Sequence, residues 1–205
     1  EILQQVLMSL KRAAAGYFLA AFVFIPLGLA MGIFQRLYRL LEIVIETLRP
    51  IPRPVVVPVA MLFFGLGDGM KVFVIFFSCA WPILLNTFDG VRNIDRVLVY
   101  TARTFGLTSS RLIAKVVLPA ASPQIMTGLR ISLSITLILV VISEMVGSSD
   151  GIGYFILDSQ RRFKVTQMYA GMIMLAVLGY VLNQLFMLFQ QRVLSWHEGL
   201  TKRNR

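Results

Sequence analysis

Histidine, cysteine and glycine-flanked lysine are the side chains from which metal centres, nucleophiles and phosphate loops are built, and this 205-residue chain offers few of them. Its one histidine, His197, lies in a polar tail, so no Ser–His pair or His-ligated metal can form inside the apolar stretches. Its one cysteine, Cys79, sits within an apolar run. Alone it closes no disulfide, and it reads as a small buried hydrophobe. A phosphate loop needs G-x-x-x-x-G-K-[ST], because glycine amides and the lysine wrap the phosphates. Lys11, Lys71, Lys115, Lys164 and Lys202 each follow a residue other than Gly. Gly65-Leu66-Gly67-Asp68-Gly69 is glycine-rich, but no strand leads into it, and it reads as a flexible turn. The chain therefore has no ATP site of its own, and no catalytic or metal-ligating residue is assigned.

Charges inside apolar sequence are the remaining chemical signal. Arg49 and Arg53 flank the prolines of Leu48-Arg49-Pro50-Ile51-Pro52-Arg53-Pro54. Arginine at membrane depth is costly and marks a solute path or an ion pair. Arg49, Pro50 and Arg53 are thus candidates for a path; pairing with Glu42 or Glu46, or snorkelling, is the plainer alternative. Further on, Gly128, Ser132, Thr136, Ser143 and Gly147 fall on one helical face, with Glu144 adjacent. Ser132, Thr136, Ser143 and Glu144 either line a path or let helices approach closely, since small residues do that in lipid. Glu144 reads as a gate, a contact for an outer partner, or an interfacial carboxylate. Gly28-x-x-x-Gly32 reads as packing, and Asn86 and Asn183 as hydrogen-bonding partners between spans.

The elements that must hold these residues are membrane spans. The chain is 57% hydrophobic and only 15% charged, too apolar for a soluble surface. Five runs approach the roughly 20 residues a spanning helix needs. They are A (about Ala13–Phe34), B (Tyr38–Leu66), C (Met70–Phe88), D (Pro119–Val146) and E (Val165–Leu188). The prolines interrupt B, predicting two shorter helices with a break at mid-depth. The net charge of +10 sits mostly between these runs, so topology explains it and nucleic-acid binding is rejected. With the C-terminus inside, the inner side holds Arg36, Arg39, Arg92, Arg96, Arg103, Arg111, Lys115, Arg192, Lys202, Arg203 and Arg205. The outer side holds Lys11, Arg12, Lys71, Arg161, Arg162 and Lys164, and this imbalance sets the orientation. The chain opens at Glu1 without an initiator methionine, so residues upstream, a further span among them, are expected.

Between C and D, residues 91–118 are too polar to span and too patterned for a slack loop. Asp95 is placed to cap a helix running to Phe105. Ile94, Leu98, Ala102 and Phe105 recur at helical spacing, with Arg96 and Arg103 off the stripe. Gly106 stands where a left-handed residue ends a helix, and Ser109 is placed to cap a second one leading into D. A helix–turn–helix with a greasy, basic face is expected, and self-packing of that face is the alternative.

Here the sequence resembles a known family. Ala102, Gly106, Val116, Leu118 and Pro119 match the loop E-A-A-x3-G-x9-I-x-L-P, by which permeases of binding-protein-dependent ABC importers bind their ATPase. Tyr100 and Thr101 replace its opening Glu and Ala. Leu48–Pro52, Phe64–Gly67, Pro82–Thr87, Val117–Ala121, Thr127–Arg130 and Gly151–Tyr154 resemble the nitrate/taurine/aliphatic-sulfonate branch. The resemblance implies an all-α, polytopic transmembrane bundle like a type I ABC importer permease, with about five visible spans plus a cytoplasmic coupling helix. It implies one permease domain over 1–205, with 91–118 as the ATPase-docking element. Asp95, Leu98, Ala102, Arg103, Phe105, Gly106 and Pro119 would form that element. Implied partners are two ABC ATPases holding ATP and Mg, a second permease copy, an extracytoplasmic solute-binding protein and lipid. The place is the bacterial inner membrane, with a cytoplasmic C-terminus. The solute would be small and anionic. A secondary transporter or channel is the competing class, but no inverted repeat or embedded proton relay supports it.

Overall fold

The computed structural model describes residues 2–195. His197, Lys202, Arg203, Arg205 and the expected cytoplasmic C-terminus lie outside the described residues. The chain runs as α1 (Ile2–Ile33), α2 (Gln35–Leu48), a 3-10 turn (Arg53–Val55), α3 (Val56–Phe64) and α4 (Asp68–Arg92). It continues as α5 (Arg96–Thr104), α6 (Ser109–Leu112), a π-helical turn (Ile113–Val117), α7 (Leu118–Gly147), α8 (Ile152–Arg161) and α9 (Val165–Val193). No strand occurs among the described residues. A helix is the only regular solution in lipid besides a closed barrel, because no backbone group can be left unpaired there and a helix pairs its own within one segment.

Among the described residues four helices are long and apolar enough to cross a bilayer: Ile2–Ile33, Asp68–Arg92, Ser109–Gly147 and Val165–Val193. A fifth span would have to be the pair Gln35–Leu48 and Arg53–Phe64, which is bent by 87°. Segment B is thus two helices, and Pro50, Pro52 and Pro54 remove the amides a straight helix would use.

Helix α4 is the axis of the bundle, lying along α1 on one side and α7 on the other. Its residues Met70, Val74, Ile75, Cys79 and Ile83 are fully buried. The approach is close because α1 offers glycine: a Cβ on Gly28 would lie 2.8 Å from the Leu84 carbonyl. Gly28 and Gly32 both meet α4, as packing residues should. By contrast α9 leaves its face from Met172 to Phe189 largely exposed, as a helix bordered by lipid would.

Two expectations about polar residues are corrected. Asn86 donates to the Pro82 carbonyl at 2.8 Å, and Asn183 to Met187 Sδ, both one turn away in the same helix. A short amide reaches a group four residues away on its own helix more readily than one on another helix.

Candidate functional site

The element after α4 forms as its local chemistry dictates. The Asp95 carboxylate accepts from the Val97 amide at 2.8 Å, capping α5. At the far end the Leu107 amide donates to the Ala102 carbonyl and the Gly106 amide to the Arg103 carbonyl. These two bonds need a left-handed residue between them, and Gly106 supplies it with φ +75. Thr108, not Ser109, occupies the N-cap of α6, without a side-chain bond. From Ser109 the helix then continues through the π-helical turn and Pro119 to Gly147 without a break. A π turn absorbs one extra residue while keeping the helix continuous.

The expected apolar stripe is split. Ala102 is buried with Leu112 and Val117, and Ile94, Val99 and Leu107 pack beside them. The buried arc of α5 centres on Val99 and Ala102, which leaves Leu98 at its edge, 49% exposed, and Phe105 beyond the helix, 80% exposed. Ala102 therefore belongs to the inner face. Val97 and Tyr100, which the sequence pattern does not place on the stripe, join Leu98 and Phe105 among the exposed residues, along with Arg96 and Arg103.

At the proline break, Arg49 and Arg53 are in no ion pair among the described residues, so the expected pairing with Glu42 or Glu46 does not form. Instead they border a cavity of about 850 Å³ between α2, the break and α4, together with Pro50, Glu42, Glu46 and Asp89. Tyr38 donates to Glu42 at 2.7 Å on its wall. The near-right-angle bend is what opens this space, by carrying α3 away from the line of α2.

The stripe on α7 does not line a path within this chain. Ser132, Thr136 and Ser143 are fully buried. Ser132 donates to the Cys79 carbonyl at 3.2 Å, Thr136 to the Ser132 carbonyl at 2.9 Å, and Ser143 to the Val140 carbonyl at 2.9 Å. A Cβ on Gly128 would sit 2.7 Å from the Pro82 carbonyl. Close packing against α4 therefore accounts for this face, which corrects the path assignment of Ser132, Thr136 and Ser143.

Glu144 is neither a surface gate nor an interfacial carboxylate; it is only 1% exposed. Ser9 donates to it at 2.8 Å, Arg12 Nη1 at 3.0 Å and the Gly153 amide at 3.0 Å. Arg12 also bonds Asp68 at 2.7 Å and pairs with Asp150. Lys71 donates to Ser148 at 2.9 Å and lies 3.6 Å from Asp68. Five charged groups from α1, α4, α7 and the α7–α8 loop so form one clasp. Asp150 is outside the spans, and the bond from the Arg12 guanidinium holds its carboxyl below the usual carboxylate range. Gly151, with φ +102, passes directly over the Glu144 carboxylate where a Cβ would collide. The charge pattern places Arg12 and Lys71 at the outer side of the spans, and there α1 and α4 extend through them and bury both. The legible hint was opposite signs, Arg12 and Lys71 against Asp68, Glu144 and Asp150, all on the side assigned as outer.

Among the described residues no three His, Cys, Asp or Glu side chains converge as a metal site. What the geometry offers is mechanical and electrostatic: a free apolar patch, an unbroken helix leading from it, a charged cavity, and a clasp at the opposite end of the bundle. Residues 23–195 match the family described as the binding-protein-dependent transport system inner membrane component. The chain belongs to that family.

The matched region takes in every element from the middle of α1 to the end of α9, including the docking element and the cavity. Among curated relatives, the bicarbonate transport system permease of Synechococcus elongatus is 35% identical, covering 93% of this chain and 69% of its own. The taurine transport system permease of Escherichia coli is 28% identical over 95% of this chain and 70% of its own. A Bacillus subtilis protein named for aliphatic sulfonates transport is 33% identical over 97% of this chain and 72% of its own. Among solved structures, a chain of the MetNI methionine ABC transporter in an inward-facing conformation superposes with a TM-score of 0.78, covering 93% of this chain and 95% of that one. At 20% identity it establishes the fold. This family member is an inner-membrane, multi-pass permease subunit.

Proposed function

We propose that this chain forms the solute passage of an ATP-driven importer, moved by two separate ABC ATPase subunits that grip α5. One observation carries the reading. Val97, Leu98 and Tyr100 are exposed on a short helix at the polar end of the bundle with Phe105 exposed just past its end, and α6 beside it continues unbroken into α7. A partner that displaces α5 and α6 tilts α7 directly, because no loop absorbs the motion. ATP and Mg belong to the partner, and this chain binds no cofactor.

The reading takes 1–205 as one permease domain, with 91–118 as the docking element and the C-terminus on the ATPase side. A second copy would complete the passage, and a solute-binding protein would deliver at the clasp end. There Arg161 and Lys164 are exposed, and they suit an acidic lobe. The solute is small and carries an anionic group. The bicarbonate, taurine and sulfonates in the names of relatives favour this, and Arg49 and Arg53 are the cations the cavity offers beside Glu42, Glu46 and Asp89. Leu98→Asp with Phe105→Asp should abolish co-purification of the ATPase while the permease still elutes as a folded species. An intact complex would refute the docking surface.

A further inference from the structure

A second cavity, of about 670 Å³, runs between α1, α7 and α9, away from the charged one. Its walls include Tyr17 and Phe18 from α1, Met126 and Leu133 from α7, and Leu182 and Phe186 from α9. On α1 it extends from Leu10 to Ile25, roughly 22 Å at 1.5 Å per residue. That exceeds one leaflet, roughly 15 Å of the hydrocarbon core. The size is that of a ligand site and not of a packing defect, since an apolar cavity of about 150 Å³ already takes up benzene.

The polar atoms on its walls are spent within the chain. Tyr17 donates to the Leu129 carbonyl at 3.0 Å, Thr136 to the Ser132 carbonyl at 2.9 Å, and Ser122 to the Pro119 carbonyl at 2.7 Å. An occupant therefore finds no hydrogen-bonding partner along the groove, and an unbranched hydrocarbon loses nothing there.

One end of the groove is different. Leu118, Phe189 and Val193 form its mouth on the side of the docking element. Lys115 stands in the π-helical turn, three residues before Leu118, and Arg192 is next to Val193 and three residues after Phe189, so both are close along the chain to the wall residues at this end. Both are exposed, and neither is in an ion pair among the described residues. Residues 109–143, α1 and α9 contain no Asp or Glu, so nothing in the walls neutralises this basic mouth. A long dry slot ending near two cations that pair with no acid among the described residues matches one chemistry: an acyl chain attached to an anionic headgroup.

We infer that the groove between α1, α7 and α9 is a site for an anionic glycerophospholipid, its acyl chain along Tyr17, Met126 and Phe186 and its phosphate at Lys115 and Arg192. The site borders the helix joined to the docking element, so the lipid would brace α7 against α1 and α9. It does not depend on which solute is carried.

The full chain, delipidated in mild detergent and reloaded with dioleoyl phosphatidylglycerol or dioleoyl phosphatidylcholine, tests it by native mass spectrometry. Phosphatidylglycerol should be retained at one per chain and should outcompete phosphatidylcholine. Lys115→Gln with Arg192→Gln should weaken it at least roughly tenfold, the loss expected for removed charge-assisted contacts. Ala21→Phe, which fills the groove, should abolish retention of both lipids. Equal retention of the two lipids by the unaltered chain, or phosphatidylglycerol held undiminished by Ala21→Phe, overturns the site. A photoactivatable phosphatidylglycerol on the unaltered chain guards against a variant that misfolds. Its adducts should map to α1, α7 and α9, and adducts elsewhere, or a polypeptide cross-linked into the groove from position 21, overturn it as well.

Discussion

Arg12 faces three carboxylates carried by three elements, and Glu144 is the one fully enclosed. The two ends of that inner pair should therefore not be equivalent. Arg12→Ala leaves the Glu144 carboxylate buried with only Ser9 and the Gly153 amide, and should destabilise the chain by about 3–5 kcal/mol. Glu144→Gln keeps the shape and leaves Arg12 two other acids, so its loss should be smaller, roughly 1–2 kcal/mol. Thermal melting of both variants in detergent measures the order, and equal losses would mean that Arg12 acts through packing instead of charge. Arg49 and Arg53 call for a different readout, because they border space and not a partner. Arg49→Ala with Arg53→Ala should leave the assembled complex intact and cut solute uptake by roughly tenfold, the scale of lost charge-assisted contacts. Unchanged uptake would remove both from the path.

At the scale of the element, the helix from Ser109 to Gly147 is both a surface feature and a span. Continuity, and not sequence at any one position, is what lets it transmit. Two glycines inserted between Val117 and Leu118 would turn the downstream helix by roughly 200° relative to α6 and soften the joint. The ATPase should still co-purify at the level of the unaltered chain, while ATP-dependent uptake falls to background. Uptake that survives would show that force reaches the bundle by another route. The capping of α5 was legible in advance, since Asp95 and Gly106 act over a few residues. Its free face was not. Leu98, Ala102 and Phe105 are similar by period, and only the lie of α5 against Leu112 and Val117 buries Ala102 and exposes the other two.

For the whole molecule, α1, α4 and α7 are bound by charge at one end, and at the other α7 runs on into the docking element. The clasp makes stability depend on acidity in a definite sense. Asp150 titrates below its ordinary range when folded, so its contribution is complete above the unfolded value and is lost as pH falls through the folded one. Melting temperature should thus hold near neutrality and decline below about pH 4. An Asp150→Asn variant should start lower and show a shallower decline, and a variant as steep as the unaltered chain would place the acid sensitivity elsewhere.

Local sequence alone determined the all-helical class and the long spans from hydropathy, the broken second segment from its prolines, and the Asp95-capped helix ended by Gly106 between the third and fourth apolar runs. These follow from bonds within one segment and from the refusal of lipid to hydrogen-bond, so they are written locally. Tertiary structure alone decided that Ser132, Thr136 and Ser143 face α4, that Arg12 meets Glu144 and Asp150 across more than a hundred residues, and that Arg49 and Arg53 open onto a cavity. The reason is physical: in a bilayer both the lipid and the neighbouring helix are apolar, so the pattern of a span does not say which of its faces is inside. That choice is made only when α4 takes the centre and the other helices close around it.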